Sequence, residues 1–596
     1  MKYRTGRRIV ALLSTFTVSL TLAACGGNGS APASTDPAAL HGGTLKIASV
    51  GDVDGLDPLI AYSAESWQVI RATTRQLVTY AGSKDGIGDD TKVVPDLAAS
   101  WDVSPDRKTY TFHLRDGIKF SGASTRPITA QDFVYAIKRF PDPNAQVAAI
   151  TYYNALFAGF KEYAAEFAKV PTGDLNAAKN FIDTHDISGV KALDDKTFQL
   201  TLTQPASDIL DILTLNFVTP LPEEVVSKYF ADSLEFRKNY VSSGPYEITS
   251  YDQGKQLTLS KVKGYNADGD PRQAYADQIV LDTTVASADA ASQQLQTGSA
   301  DIGLYVRAYP ANVISQYKQA DPDHLHKSAS GSAVFISWNN SDTPKTPAQQ
   351  AFKDLRVRQA FNYSLNRSDV VRGLGGPDSA IPSNEILTST IAGYADENPY
   401  PTTDDKGDPD KAKALLAEAG QPNPTVNVAF RSSPEFEKIA TSVQNAAARA
   451  GITVKLTPIP ADGFGAFSAF LGDKSKLDQW DLAITNWTPD WQGNSARMTL
   501  GGWLDSDFAP GGTWNGVTYR NPLLNAAVNK AFAAEDSTQD WKDANLIATK
   551  DLAWFPLIER VKSIPTSDRV TNWTWQSLGN GPDITNIAVN GGGEGR

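Results

Sequence analysis

Residues 95–121 read PDLAASWDVSPDRKTYTFHLRDGIKFS, and this stretch decides the fold class. Apolar residues alternate with polar ones on both sides of Ser104-Pro105-Asp106, three residues that favour a turn. The pattern predicts a β-hairpin over residues 97–114. A helix with Thr129 as its N-cap is predicted next, over residues 129–140 (TAQDFVYAIKRF).

Further strands and helices alternate along the chain on both sides of this hairpin, without a fixed repeat length. Strands are predicted at residues 44–50, 198–203, 256–262, 278–283, 301–306, 334–338, 426–430, 452–456 and 480–485. Helices are predicted at residues 64–77, 288–297, 355–365, 409–419, 434–450 and 522–534. We therefore expect a mixed α/β protein with several lobes.

The composition excludes several classes of protein. The chain has 596 residues, of which 41% are hydrophobic, and this suffices for several domains with large cores. The formal net charge is −12, which argues against nucleic acid as a partner. One cysteine and five histidines leave no basis for a disulfide framework or a cysteine-rich metal site. We expect neither a cofactor nor a bound metal.

The first 43 residues are typical of an export signal and a tether. A basic start is followed by an apolar run over residues 9–24, which is short for a membrane-spanning helix of about 20 residues. Residues 22–25 (LAAC) resemble the lipobox of bacterial lipoproteins, which implies that residues 1–24 are a signal peptide and that Cys25 carries the lipid. Residues 25–43 are rich in Gly, Ala, Ser and Pro and predict a flexible tether. The expected location is the extracytoplasmic face of the bacterial membrane.

No catalytic motif stands out along the chain. It lacks a G-x-S-x-G elbow, an H-E-x-x-H pair and a P-loop. Together with export and tethering, this favours a binding protein over an enzyme. An exported hydrolase remains the alternative from another class, and it would need a nucleophile that no visible constellation supplies.

Several segments, in order along the chain, resemble the signature of the family 5 extracellular solute-binding proteins. These proteins are the oligopeptide- and dipeptide-binding components of ABC importers. The segments are residues 56–58 (LDP), 95–101 (PDLAASW), 127–133 (PITAQDF), 243–246 (SGPY), 352–364 (FKDLRVRQAFNYS), 411–420 (KAKALLAEAG) and 480–490 (WDLAITNWTPD). The resemblance implies an α/β, two-lobed periplasmic-binding-protein-like fold, of class II and the large peptide-binder type, with an extra domain inserted in the first lobe.

The resemblance also implies how the chain is divided. Lobe I is expected to comprise residues 43–75, 220–312 and 562–596. The inserted domain is expected at residues 76–219, and lobe II at residues 313–561. The chain would then cross between the lobes near residues 310 and 562, where we expect the hinge.

The family resemblance also implies a set of ligand-binding residues. In peptide-binding members a W-x-x-D segment offers its aspartate to the ligand's α-ammonium group, and Asp490 in residues 487–490 (WTPD) matches it. Peptide backbones align there against two extended segments. The matching residues here are Thr485, Asn486, Trp487, Tyr62, Ser63 and Ala64.

Two features depart from simple peptide recognition. Some members carry an arginine six residues before the aspartate, but this position is Ile484 here, so Arg431 is a candidate for the ligand carboxylate. Five tryptophans, among them Trp491, lie within residues 480–514 and either pack in the core or stack on a ligand. An oligosaccharide of the cello-, xylo- or manno-type is therefore the alternative ligand.

The sequence thus predicts a lipid-anchored substrate-binding subunit of an ABC importer. It would capture a short peptide between two closing lobes and deliver it to permease subunits. We expect a monomer, because no heptad repeat or exposed apolar stripe stands out.

Overall fold

The computed structural model describes residues 40–590, apart from residues 85, 87–90, 146, 148, 305–307, 461–463 and 507–518. The predicted signal peptide, Cys25, most of the predicted tether and Trp514 lie outside the described residues. Within the described ranges, no helix is both long and apolar enough to cross a bilayer. Three sheets of four or more strands organise this part of the chain.

The first sheet is built around the strand Thr44–Ser49, as the apolar residues of TLKIAS predict. Leu45 and Ile47 of this strand are buried, and both of its neighbours run parallel to it. In spatial order the five strands are Tyr246–Asp252, Gln256–Lys261, Gln278–Asp282, Thr44–Ser49 and Ile302–Leu304. All of them fall in the ranges that the resemblance assigns to lobe I.

The second sheet has four antiparallel strands and contains the predicted hairpin. Trp101 lies opposite Phe112, so the hairpin prediction is confirmed. In spatial order the strands are Ala98–Val103, Thr109–Leu114, Thr197–Thr201 and Val190–Asp194. The helix Ala130–Arg139 packs on this sheet and begins after Thr129, as predicted, with the Asp132 carboxylate accepting the Thr129 backbone N–H at 2.8 Å.

The third sheet has six strands of mixed direction. In spatial order they are Ala380–Pro382, Trp554–Pro565, Leu325–Trp338, Leu482–Trp487, Thr425–Arg431 and Thr453–Ile459. The strand Trp554–Pro565 was not predicted from the sequence. Pro556 argues against a central strand, and a bulge at Leu557 accommodates it, because the register jumps from Ile558 to Pro556 between consecutive partners.

The strand predicted at residues 334–338 begins much earlier, at Leu325. Its first part carries few apolar residues, and it forms a strand because residues 325–329 pair with residues 561–565. A second bulge at residues 330–332 separates this ribbon from the rest of the sheet. Gly331 occupies the bulge with φ of 67°, a conformation that favours glycine.

Shorter strands pair in twos. These pairs are Val78–Tyr80 with Val93–Pro95, Ser121–Gly122 with Val241–Ser242, Val570–Asn572 with Ala588–Val589, and Trp575–Gln576 with Gly581–Pro582.

Helices cover the sheets and their connections. Up to residue 320, the α-helices besides Ala130–Arg139 are Ala64–Thr73, Ile150–Leu156, Phe160–Phe167, Leu175–Thr184, Ile209–Ile212, Glu223–Val226, Leu234–Lys238, Ala288–Gln296 and Ala311–Ala320. Beyond it they are Pro347–Ala351, Leu355–Ser364, Arg367–Gly373, Pro409–Glu418, Pro434–Arg449, Phe464–Gly472, Pro522–Ala533 and Thr538–Lys550. A π-helix spans Arg497–Gly502, and 3₁₀ turns span Asn216–Val218, Pro322–His324, Thr403–Asp405, Lys474–Lys476 and Leu578–Asn580.

Candidate functional site

Asp490 lies just beyond the carboxyl end of the strand Leu482–Trp487. This strand runs parallel to Thr425–Arg431, so the ends of both strands meet at one edge of the third sheet. The carboxyl edge of parallel strands is where ligands bind in open α/β sheets. Asp490 therefore lies at the edge where ligands bind. It is only 9% exposed, so its carboxylate is shielded from water.

Two tyrosine hydroxyl groups hold the Asp490 carboxylate from other parts of the chain. The Tyr62 hydroxyl donates to Oδ1 at 2.9 Å, and the Tyr152 hydroxyl donates to Oδ2 at 2.8 Å. Tyr62 follows the Leu56-Asp57-Pro58 segment, and Tyr152 lies in the helix Ile150–Leu156. Residues from all three predicted parts of the molecule therefore meet at one carboxylate.

The buried Asp490 carboxylate has no positively charged partner among the described residues. Burial raises the pKa of the Asp490 carboxyl to about 6, and the hydrogen bonds from Tyr152 and Tyr62 lower it only partly. Both donors are neutral, and no Lys, Arg or His nitrogen among the described residues forms an ion pair with this carboxylate. A carboxylate accepts about four hydrogen bonds, so Asp490 can still bind an ammonium group.

The loop that carries Tyr62 is fixed by its own hydrogen bonds. The Asp54 carboxylate accepts the backbone N–H groups of Tyr62 and Ser63, at 3.0 and 2.8 Å. The Ser63 hydroxyl caps the helix that begins at Ala64 by accepting the N–H of Ser66 at 3.1 Å. These contacts hold the Tyr62 ring in place, and they engage the two N–H groups that the resemblance would align with a ligand backbone.

The strand before Asp490 is paired more fully on one side than on the other. Thr485 and Asn486 lie opposite Phe335 and Val334 in an antiparallel ladder. On the opposite side, the parallel ladder ends at Ile484. The parallel ladder therefore stops one residue before Thr485, which is itself 4% exposed.

Arg431 ends the neighbouring strand and reaches the same edge. Its guanidinium donates to Oδ1 of Asn486 at 2.9 Å and lies 5.0 Å from the centre of the Phe436 ring. The structure thus brings Arg431 together with Asn486, a second predicted site residue.

The four predicted tryptophans that the structure describes are buried, namely Trp480, Trp487, Trp491 and Trp503. Trp491 is 1% exposed, lies 5.6 Å from the Tyr152 ring and donates its indole N–H to the carbonyl of Asn494 at 2.9 Å. Trp487 packs edge-on against Trp503 at 5.9 Å. These contacts make Trp491 a support for Tyr152.

Tyr152 was not among the site residues predicted from the sequence. It lies within ITYYNAL, which matches no family segment, and two adjacent tyrosines do not reveal which one faces Asp490. Only the packing of the helix Ile150–Leu156 decides this.

A buried ion pair stands next to the site. Arg497 donates to Asp208 through its terminal nitrogen at 2.6 Å, and both side chains are 1% exposed. Asp208 lies in the predicted inserted domain, and Arg497 lies in the segment after Asp490. The pair therefore fixes the predicted inserted domain against the segment that carries the candidate ligand group.

Known proteins resemble this chain over most of its length. The family model "Bacterial extracellular solute-binding proteins, family 5 Middle" matches residues 92–503. The chain is 25% identical to the probable D,D-dipeptide-binding periplasmic protein of Escherichia coli (strain K12), over 90% of this chain and 92% of the relative. It is 26% identical to heme-binding protein A of Haemophilus influenzae, over 96% of this chain and 98% of the relative.

A solved structure shows the same fold. It is titled clavulanic acid biosynthesis oligopeptide binding protein 2, and it superposes with a TM-score of 0.79 at 22% identity, covering 93% of this chain and 96% of that chain. The two-lobed periplasmic-binding-protein-like fold is thereby confirmed.

Proposed function

The chain belongs to the family 5 bacterial extracellular solute-binding proteins, and from this membership we propose that its solute is a short peptide held by its α-ammonium group. The observation that carries the proposal is the buried Asp490 carboxylate, which is hydrogen-bonded by the neutral hydroxyl groups of Tyr62 and Tyr152. An ammonium group compensates the carboxylate charge, which burial otherwise disfavours.

The arrangement couples binding to closure of the lobes. Tyr62, Tyr152 and Asp490 come from residues assigned to lobe I, the inserted domain and lobe II. A ligand that contacts all three stabilises the closed state over the open one. A permease can then distinguish the loaded protein from the empty protein by its shape. The domain boundaries given above are part of this proposal.

The proposed role includes an anchor and a transport partner. Cys25 would carry the lipid, and residues 25–43 would let the body move at the extracytoplasmic face of the membrane. The body would deliver its peptide as a monomer to the permease subunits of an ABC importer. The peptide ligand is supported by the names of two similar proteins, one a probable D,D-dipeptide-binding protein and the other an oligopeptide binding protein.

Thermal melts of the purified protein test the ligand class. Tripeptides to hexapeptides with free N-termini, the same peptides with acetylated N-termini, and cello-oligosaccharides serve as probes. A ligand at about 100 times its dissociation constant adds about 2.7 kcal/mol to the stability of the native state. We expect a shift with free peptides that is lost on acetylation and lost in Asp490→Ala.

Other outcomes would overturn the proposal. An equal shift with acetylated peptides would contradict ammonium capture. A sugar shift that persists in Asp490→Ala would assign the protein to oligosaccharide uptake.

A further inference from the structure

The residues on either side of Asp490 are both anchored to one bulge in a neighbouring strand. The Thr488 hydroxyl donates to the hydroxyl of Ser332 at 2.8 Å, and Nε2 of Gln492 donates to the carbonyl of Ser330 at 3.4 Å. Thr488 precedes Asp490 by two residues, and Gln492 follows it by two. The turn that carries the carboxylate is therefore fixed at both of its ends.

The bulge itself has a defined shape. Its three residues, 330–332, lie opposite the single residue Arg560 of the strand Trp554–Pro565. The Ser330 hydroxyl donates to the carbonyl of Arg560 at 2.8 Å and accepts the backbone N–H of Ser332 at 3.2 Å. Bulges interrupt a ladder and change the direction in which side chains point. Here the bulge turns Ser330 and Ser332 towards the segment that carries Asp490.

Side chains from two other segments bind the backbone of the central bulge residue, Gly331. Its N–H donates to Oε1 of Glu559 at 3.2 Å, and its carbonyl accepts the Thr388 hydroxyl at 2.8 Å. Glu559 is 3% exposed and also accepts the N–H and the hydroxyl of Ser389, each at 3.0 Å. Since buried polar groups are costly to leave without partners, these bonds oppose any shift of the bulge.

Only glycine fits at residue 331. Its φ of 67° favours glycine, and a Cβ atom there would lie 2.5 Å from Oε1 of Gln492 and from Oγ1 of Thr390. Gln492 is 0% exposed and accepts a hydrogen bond from the Thr390 hydroxyl. An added methyl group would therefore displace Gln492, which holds one end of the turn around Asp490.

We propose that the bulge at residues 330–332 positions the ammonium-binding carboxylate, because it sets the place of Asp490 through Thr488 and Gln492. The bulge residues act through these contacts, so they are positioning residues that need not touch the ligand. Groups that bind a ligand must be held within about 0.5 Å of the productive geometry. This inference rests on the proposed function, because it concerns the carboxylate that binds the peptide ammonium group.

Calorimetric titration of Gly331→Ala tests the proposal. Tripeptides to hexapeptides are titrated with free and with acetylated N-termini. We expect Gly331→Ala to bind free peptides about tenfold or more weakly than wild type and to lose most of the preference for a free N-terminus. Gly298→Ala is the matched control, because Gly298 has a φ of 70° and a Cβ atom there meets no described atom within 4 Å. It carries the same backbone penalty and should bind like wild type.

A second pair of variants leaves the backbone of the bulge unchanged. Thr488→Val removes the hydroxyl that donates to Ser332 and keeps the shape of the side chain, whereas Thr488→Ser keeps the hydroxyl. Thr488 is exposed, so both variants should fold. Thr488→Val should bind free peptides about threefold to tenfold more weakly, and Thr488→Ser should bind them like wild type.

The outcomes separate this inference from the proposed function. Wild-type affinity in both Gly331→Ala and Thr488→Val overturns the positioning role and leaves ammonium capture at Asp490 standing. An equal loss for free and acetylated peptides also overturns it, because a merely structural role predicts that result. If Gly331→Ala does not fold, the two Thr488 variants decide. If wild-type protein binds no peptide, the proposed function fails and the positioning role fails with it.

Discussion

Replacing Asp490 by Asn should stabilise the empty protein and weaken the loaded one. The substitution keeps the shape of the side chain, and its amide can still accept from one tyrosine and donate to the other. It removes the buried negative charge, which Tyr62 and Tyr152 offset only in part. Stability and affinity should therefore change in opposite directions.

The raised pKa sets the size of the stability effect. The Asp490 pKa is about 6, against an unperturbed value of 3.8, so the folded state holds the proton more tightly than the unfolded state. The wild-type protein therefore loses about 3 kcal/mol as the pH rises from about 4 to about 6. The Asn variant has no such loss, and at pH 7.5 it should melt about 2–3 °C higher than wild type, while the two coincide near pH 3.5.

The affinity effect has the opposite sign. Removing one partner of a buried charge pair costs about 3–5 kcal/mol, so peptide affinity should fall about 100-fold or more. Melts from pH 3.5 to 7.5 and calorimetric titration with a free peptide measure both effects on the same samples.

Asp481 provides the matched control at the other end of the same strand segment. It is 1% exposed, and its carboxylate accepts the backbone N–H of Asn427 at 2.7 Å. Asp481→Asn should lower the melting temperature and leave peptide affinity unchanged. The reasoning is refuted if Asp490→Asn destabilises the empty protein at pH 7.5, or if it binds the peptide as tightly as wild type does.

Further predictions concern the same site and its supports. With a pKa of about 6, only about a tenth of the Asp490 carboxyl is ionised at pH 5, so peptide affinity should be about tenfold weaker there than at pH 7.5. Titrations at both pH values measure this, and an affinity that does not change with pH would argue against Asp490 as the ammonium-binding group. Tyr152→Phe removes a hydrogen bond that lowers the pKa of Asp490, so the midpoint of that profile should move to higher pH, and an unmoved midpoint would contradict the contact. Arg497→Met leaves Asp208 buried without its partner and should lower the free energy of unfolding, measured in urea, by about 3–5 kcal/mol. A decrease below about 1 kcal/mol would show that the pair does not hold the predicted inserted domain. Cys25→Ser should release the protein from the membrane fraction, and retention there would exclude lipid attachment at this residue.

Sequence patterns of a few residues correctly predicted one hairpin and one helix. The hairpin at residues 97–114 and the helix after Thr129 are confirmed, because alternation, turn residues and a capping residue act within a few positions. The strand Trp554–Pro565 was missed, because it pairs with Leu325–Trp338, a segment more than 200 residues away. In addition, Pro556 argues against a central strand, and only the bulge beside it makes the strand possible. No local pattern carries that information.

The candidate site likewise contains one residue that the sequence predicted and one that it did not. Asp490 was predicted because a W-x-x-D segment is a short motif, and the structure places it buried at the edge of a sheet. Tyr152 was not predicted, because its role depends on a contact with a residue 338 positions away.

The sequence alone determined the family, the order of most strands and helices, and Asp490 as the residue to test. The strands and helices follow from apolar spacing and from turn and cap residues. The family and Asp490 follow from a resemblance carried by short motifs. The hydrogen bonds from Tyr62 and Tyr152 to Asp490, in contrast, could be known only from the tertiary structure. Burial and charge compensation are properties of segments brought together from distant parts of the chain, so they emerge only when the chain is folded.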